Sequence, residues 1–501
     1  MQVTTELILL VLSFLFFVSI LAGKAGSRYG VPVLLLFLGI GMISGSDGLG
    51  IQFYNYKIAQ TIGTFALIVI LFSGGMDTKL NDIRPIIKPG VVLATMGVLL
   101  TTIATGLLIW MMLGFTQSGA QVGLLTSLLL AAVMSSTDSA SVFSILRSKG
   151  INLKNNLRPM LELESGSNDP MAYMLTISLI SLIQAAGSTN YWMVGGMILL
   201  QLVVGASAGY LLGRLTVVIV NRIRIDNASL YPILVFTSAI FIFSFTYFIK
   251  GNGFLAVYIG GLVIGNARLV HKRSSLYFFD GLAWLSQILM FLTLGLLVNP
   301  HELIPVIIPG LIISAVIIFI TRPLSVFITL LPFKKFRFKD KLFISWIGLR
   351  GAVPIIFAIM PLAEEVPYAR YIFNIVFFIT LVSLLVQGTT LSWVATKLNL
   401  AEKPNQLKSL TEFDLDFSDD IKSVTTEITV TEKAIENGGR LMDLPLPDKT
   451  LAVLVKRNGK YFVPKGSTTL CLNDKLLLIT DDEEALRQTY SNLGISDGTT
   501  T

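Results

Sequence analysis

Long apolar runs recur from residue 6 to residue 398, and no other feature restricts the fold as strongly. A bilayer offers no water to an unpaired N–H or C=O, so a crossing chain must form helices or a closed barrel. Most of the runs lie near the ~20 residues a spanning helix needs, and several are shorter or broken by Gly and Pro. We place thirteen of them, at residues 6–22, 31–44, 57–75, 90–113, 121–146, 159–185, 192–220, 231–249, 254–269, 278–298, 303–331, 341–362 and 371–398. The pattern predicts an all-α polytopic membrane protein. Composition agrees, since the chain is 53% hydrophobic and 14% charged, against about 25% charged in soluble domains. The first run follows Glu6 and has no basic segment ahead of it, so it reads as a membrane helix and not as a signal peptide.

The loops test this count independently, because cytoplasmic loops concentrate Lys and Arg. Every second loop is basic: Lys24 and Arg28; Lys79, Arg84 and Lys88; Arg147, Lys149, Lys154 and Arg158; Arg222 and Arg224; Arg268, Lys272 and Arg273; then Lys334, Lys335, Arg337 and Lys339. The loops between carry little beyond Lys250 and Arg370. Six basic loops alternating with six nearly neutral ones fit thirteen spans in a plasma (inner) membrane, with the N-terminus outside and the tail in the cytoplasm. An odd number also permits two inverted six-helix repeats, spans one to six and eight to thirteen, with span seven as connector. Such repeats place a site at the midplane, on interrupted helices. Span five carries Met134-Ser135-Ser136-Thr137-Asp138-Ser139-Ala140-Ser141 and its counterpart, span twelve, carries Gly348-Leu349-Arg350-Gly351-Ala352-Val353-Pro354. Both read as unwound, crossed helices.

Beyond residue 398 the chain changes character. The last hundred residues hold 17 acidic and 12 basic side chains, so the basic balance of the whole chain belongs to membrane loops and does not imply a nucleic-acid partner. Residues 399–424 read as a linker. Strand-type runs follow at 427–430, 451–456, 461–463 and 475–479, with a tight turn at Arg457-Asn458-Gly459 and an acid-capped final helix from Asp481. Residues 425–493 thus read as a small α+β domain, and 494–501 as a disordered end. Cys471 is the single cysteine, which excludes an intrachain disulfide. It stands between Leu470 and Leu472 and is expected to be buried.

Ionisable residues inside a span are costly and mark function. Leu161-Glu162-Leu163-Glu164-Ser165-Gly166-Ser167-Asn168-Asp169-Pro170 places three carboxylates in an apolar helix. Ser165 and Asp169 are four apart and share a face, so they are expected to enter one cavity. Glu164 and Asn168 share the neighbouring face and should meet other helices. Glu162 lies nearer the loop and reads as peripheral. Thr137 and Asp138 offer hard oxygens in an unwound segment, suited to a monovalent cation at Asp169 and Asp138. Ser135, Ser136 and Ser141 are taken as interhelical packing groups. Arg350, the sole basic residue in the middle of span twelve, is expected to pair with Glu164. Nothing points to an enzyme: His271 and His301 are too far apart for a metal site, there is no Walker A, and the Gly251–Ala256 GxGxxA match lies at the start of a span.

Together, Glu164-Ser165-Gly166-Ser167-Asn168-Asp169-Pro170, Thr137-Asp138 and Gly348-Leu349-Arg350-Gly351-Ala352-Val353 resemble the NhaP-type cation:proton antiporters, as do Gly253-Phe254-Leu255-Ala256-Val257-Tyr258 and Phe291-Leu292-Thr293-Leu294-Gly295. The resemblance spans residues 1–398. It implies thirteen helices, a homodimer in the lipid bilayer, and a core moving against a dimerisation domain. It implies that Asp169 binds cation or proton in competition, that Thr137, Asp138 and Ser165 help ligate the cation, and that Glu164 and Arg350 form a stabilising ion pair. Asn168 stands where electrogenic relatives carry a second Asp, which implies one-for-one, electroneutral exchange. Two positions depart from the pattern: Ser139 stands where the family often has Pro, and Ser73 where some relatives have Glu. The tail, 425–493, resembles an RCK-C (TrkA-C) regulatory domain through Leu444-Pro445-Leu446-Pro447, Val463-Pro464-Lys465-Gly466 and Asn473-Asp474-Lys475-Leu476. Such domains dimerise and bind small ligands, nucleotides among them, on potassium systems.

The function expected from the sequence is exchange of K+, with Na+ as the alternative, for H+ by alternating access in pH homeostasis, the tail arguing for K+, with no covalent cofactor and with regulation through the tail. Two rivals are a ligand-gated potassium channel, suggested by the tail but lacking a filter loop, and a membrane-tethered sensor with a vestigial core.

Overall fold

Helices account for almost all of the membrane part of the computed structural model, which describes residues 5–29, 32–114, 123–185, 191–402, 424–430, 439–444, 446, 450–457 and 460–480. The chain divides into two units, Met1–Lys403 and Pro404–Thr501. In the first, the helices are α1 (Thr5–Tyr29), α2 (Val33–Ser44), α3 (Tyr56–Asp77), α4 (Leu80–Met112), α5 (Leu124–Val133), α6 (Ser139–Ser148), α7 (Leu157–Gln184), α8 (Tyr191–Arg222), α9 (Leu230–Phe248), α10 (Gly253–Asn266), α11 (Lys272–Leu296), α12 (Pro300–Thr329), α13 (Phe338–Trp346), α14 (Ala352–Ala363) and α15 (Ala369–Lys397). Among the described residues, seven helices (α3, α4, α8, α9, α11, α12 and α15) are long and apolar enough to cross a membrane, and shorter apolar helices lie before and between them. Trp192, Leu199 and Val203 of α8 and Phe241 and Phe248 of α9 are exposed, as lipid-facing side chains are.

The two halves of this unit break in the same places. In α4 a 3-10 turn at Arg84–Ile86 precedes a π turn at Leu93–Gly97. In α12 a 3-10 turn at Ile304–Val306 precedes a π turn at Ile317–Thr321. The cause is in the sequence, because Pro85-Ile86-Ile87-Lys88-Pro89-Gly90 matches Pro305-Val306-Ile307-Ile308-Pro309-Gly310, and proline disrupts the regular ladder. Close packing repeats too. Helix α3 lies on α10 and α11 lies on α2. A Cβ on Gly261 of α10 would sit 2.5 Å from the Phe72 carbonyl oxygen, and one on Gly41 of α2 would sit 2.5 Å from that of Leu292. Gly75 and Gly295 face them across these two contacts. Only hydrogen at these positions lets the backbones approach so closely.

Two chain breaks position the candidate site. The run at 134–138 separates α5 from α6, and that at 347–351 separates α13 from α14. Serine and aspartate favour such a break because their side chains compete for backbone groups. Ser135 Oγ donates to Ala132 O at 2.6 Å, and Asp138 Oδ1 accepts from Ser141 N at 3.0 Å, capping α6. The breaks cross where Asp138 N–H donates to Leu349 O at 2.9 Å. A side chain on Gly351 would overlap the Asp138 carboxylate. Helix α7 runs alongside α5 and continues through Pro170. It meets α10 where Gly166 leaves room for the Tyr258 ring and where Asn252 Nδ2 donates to Pro170 O at 3.0 Å.

Residues 152–153 and 401–402 form a short antiparallel pair, β1 (Asn152–Leu153) with β2 (Ala401–Glu402). The start of the expected linker is therefore tied to the membrane unit, while 403–423 lie outside the described residues. The second unit is a four-stranded antiparallel sheet, β3 (Val424–Thr429), β4 (Thr450–Arg457), β5 (Lys460–Phe462) and β6 (Lys475–Thr480), in the order β3-β6-β4-β5. Strands β4 and β5 pair directly across the expected turn, Arg457 opposite Lys460. Asn458 and Gly459, the expected helix from Asp481 and the end at 494–501 lie outside the described residues. Cys471 corrects the sequence reading: it is exposed. Leu470 turns inward at 3% exposure, and the chain then enters a turn in which Asp474 Oδ2 accepts from Cys471 N at 2.8 Å. Burial raises the Asp474 pKa, but the Arg457 guanidinium and the Cys471 N–H outweigh it and hold the carboxyl below its usual value.

The glycine contacts predict a contrast within one helix. Gly295→Ala should destabilise the protein by about 1–3 kcal/mol through overpacking against α2. Gly281→Ala, where no atom lies within 4 Å, should not. Thermal melting in detergent reads both.

Candidate functional site

The site is assembled from the α5–α6 break, the middle of α7 and the α13–α14 break. Asp169 is 4% exposed and Ser165 8%, and both line a cavity of about 420 Å³ together with Asp138. Asp77, Glu162 and Asp280 line it as well. The expected sharing of one cavity by Ser165 and Asp169 is thus observed. Ser165 Oγ donates to Thr137 O at 2.8 Å and accepts from Ser139 N at 3.1 Å. Thr137 is buried, and its hydroxyl accepts from Asn168 Nδ2 at 2.5 Å. Asn168 Oδ1 has no hydrogen-bond partner among the described residues. Glu162 also accepts from Arg158 Nε at 2.9 Å.

Two serines assigned to packing by the sequence reading touch the carboxylates instead. Ser136 Oγ donates to Asp169 Oδ1 at 2.5 Å, and Ser141 Oγ donates to Asp138 Oδ2. The available signal was their position beside Asp138 in a segment already read as unwound. Ser135, by contrast, bonds back to its own helix.

The expected Glu164–Arg350 pair is corrected. Glu164 pairs with Arg322 of α12, and the two are 1% and 2% exposed. Arg322 directly follows the π turn at Ile317–Thr321. Gly348 gives it room, since a Cβ there would lie 3.0 Å from Arg322 Nε. Arg350 is engaged elsewhere: its Nη1 donates to Ser136 O at 2.6 Å and its N–H to Ser383 Oγ at 2.8 Å. The physical reason lies in the crossing. The break after α5 leaves C-terminal carbonyls with partial negative charge and no helical N–H to receive them, and the Arg350 guanidinium answers the one at Ser136.

Chemically, this is a set of hard oxygens around one buried carboxylate, Asp169, and one partly buried, Asp138, at the cavity they line. Carboxylate, hydroxyl and freed carbonyl oxygens suit a small hard cation, and a carboxylate also takes a proton. Comparison with known proteins accords with this chemistry. The family described as sodium/hydrogen exchanger, transmembrane, matches residues 12–397. The chain belongs to that family. This exchanger is 41% identical to the K(+)/H(+) antiporter NhaP of Alkalimonas amylolytica over 95% of its own length and 81% of the relative's. It is 37% identical to the K(+)/H(+) antiporter NhaP2 of Shewanella oneidensis over 96% and 82%. The solved sodium proton antiporter MjNhaP1 from Methanocaldococcus jannaschii superposes with a TM-score of 0.66 at 24% identity, covering 78% of this chain and 99% of that one. The latter likeness carries the fold alone: a mostly helical, polytopic membrane architecture.

The ion pair makes a prediction. Arg322→Leu alone strands a buried carboxylate and should cost about 3–5 kcal/mol, whereas replacing Glu164 as well by Leu should recover most of that loss. Equal losses in the single and double variants, read by thermal melting, would show that the two side chains do not act as a pair.

Proposed function

We propose that this exchanger moves K+, and Na+ less favourably, against H+ by alternating access, with Asp169 as the residue that cation and proton occupy in turn. The observation that carries this reading is the meeting of Asp169, Asp138, Ser165 and the unwound Thr137 segment at one cavity. A bare carboxylate cannot cross a closed, low-dielectric state cheaply, so the carrier reorients only when cation or proton neutralises it, and the two fluxes are coupled. The preference for K+ is drawn from the names of the relatives. Thr137, Asp138 and Ser165 complete the cation site in this proposal. Asn168 contributes no charge beside Asp169, which supports one-for-one, electroneutral exchange.

The finer architecture is also a proposal. Thirteen spans in two inverted repeats are supported by the matched breaks of α4 and α12 and by the paired glycine contacts. An inner-membrane setting with the tail in the cytoplasm is supported by the alternation of basic loops. Asp77, Asp280 and the Arg158–Glu162 pair would then make the cavity face the cytoplasm. A homodimer, and an RCK-C tail that binds a nucleotide or similar ligand, rest on resemblance. The four-stranded sheet is compatible with that tail, and Asn473, at φ 69°, occupies a left-handed position of the kind glycine and asparagine take most readily. The channel rival rests on the tail alone, whereas likeness to antiporters runs through 95% of the chain.

Asp169→Asn should abolish K+- and Na+-driven proton movement in proteoliposomes while the protein remains folded. The wild-type reaction should generate no membrane potential. Robust exchange by the Asn variant would overturn the assignment of Asp169, and a potential-sensitive dye that responds to turnover would overturn the stoichiometry.

A further inference from the structure

Ser136 is fully buried in the α5–α6 break. It is held at both ends: its carbonyl takes the Arg350 guanidinium at 2.6 Å, and its hydroxyl lies on Asp169 at 2.5 Å. Arg350 is in turn fixed from behind. Its N–H donates to Ser383 Oγ, which donates to Gln387 Oε1 at 2.6 Å, and Gln387 Nε2 donates to Trp346 O at 2.8 Å. One line of hydrogen bonds therefore runs from α15, through the α13–α14 break, into the α5–α6 break, and ends on Asp169.

We propose that Ser136 is a ligand of the transported cation that helps set which alkali cation the site prefers, with Arg350 as the positioning residue that holds it against Asp169. The proposal rests on Asp169 being the exchange site. A serine hydroxyl has one hydrogen and two lone pairs. In the structure the hydrogen satisfies a buried carboxylate oxygen, as burial demands. When a cation takes the carboxylate, that hydrogen is no longer needed there. Rotation about Cβ–Oγ turns a lone pair toward the ion with no movement of the backbone. The two oxygens already lie close enough to share one ion. The hydroxyl adds an oxygen without adding charge, and the number and field strength of such ligands distinguish K+ from Na+. Arg350 makes this possible by bonding the Ser136 carbonyl, which fixes the backbone from which the hydroxyl reaches.

The test uses the full-length protein in proteoliposomes, with K+, Na+ and Li+ each driving proton movement at one fixed pH. Ser136→Ala, and Ser136→Cys, which keeps the size but replaces the hard oxygen with soft sulfur, should raise KM for K+ about tenfold, the loss expected for one polar contact to a charged partner. KM should rise more than the maximal rate falls, and the ratio of K+ to Na+ KM should change. Ser136→Thr keeps the hydroxyl and should restore the wild-type KM. In detergent, added KCl should raise the melting temperature of the wild type and of Ser136→Thr more than that of the Ala and Cys variants, since ligand binding stabilises the native state. Arg350→Lys should raise KM in the same direction, and its effect should not add to that of Ser136→Ala, because coupled residues are non-additive. Unchanged KM and unchanged K+ stabilisation in the Ala and Cys variants would overturn the ligand role. A Thr variant as impaired as the Ala variant would reassign Ser136 to packing, and additive effects would remove the positioning role of Arg350. Asp169→Asn, run alongside, separates the two readings. If it is inactive while Ser136→Ala keeps the wild-type KM, only Ser136 falls; if it is active, the exchange site itself falls and Ser136 with it.

Discussion

The hydrogen bond from Asp138 N–H to Leu349 O marks the constraint on which the rest depends. A chain in lipid must satisfy every backbone polar group internally, and irregular backbone is tolerated there only where protein or a water-filled cavity receives it. Two irregular segments solve this by crossing, each supplying part of what the other lacks. Asp138 and Asp169, the buried arginines and the cavity are all arranged around that crossing. Gly351 is part of the same solution, because a side chain there would occupy the space of the Asp138 carboxylate.

Charge is distributed accordingly. Arg350 holds the Ser136 carbonyl in the α5–α6 break, and Arg322 neutralises Glu164. Among the described residues, Asp169 is left with a hydroxyl and no guanidinium. That difference suits the proposed chemistry. A carboxylate locked to arginine cannot exchange cation for proton, whereas one held by a serine can, since a hydroxyl that donates to a carboxylate can also accept an ion beside it. The fold thus separates a carboxylate paired with arginine from the proposed exchange carboxylate five residues further along the same helix.

Much of this was legible in the sequence. Apolar runs and basic loops carried the membrane helices, because burial in lipid is recorded in side-chain type along the chain. The breaks at Met134–Asp138 and Gly348–Gly351 were legible because serine, aspartate and glycine weaken a helix locally. The joint use of Ser165 and Asp169 followed from helical periodicity alone. The partner of Glu164 was not legible. Arg350 and Arg322 are both buried in spans, and nothing local distinguishes them; the choice turned on a π turn before Arg322 and on the space at Gly348. Ser136 was missed because a serine beside two others looks like helix packing until the break rotates each to a different neighbour. Cys471 was misread because alternation with Leu470 and Leu472 gave no sign of the turn that follows.

By itself, then, the sequence determined that this chain crosses a membrane repeatedly as helices, breaks two of them at polar residues, buries Asp169 where a charge is costly, and ends in a separate strand-rich unit. These are consequences of composition and of periodicity along one chain. Only the tertiary structure decided which arginine meets Glu164, which hydroxyl lies on Asp169, and how the two breaks satisfy one another. Those outcomes depend on directions in space, set where helices from distant parts of the sequence cross, and a one-dimensional pattern does not contain them.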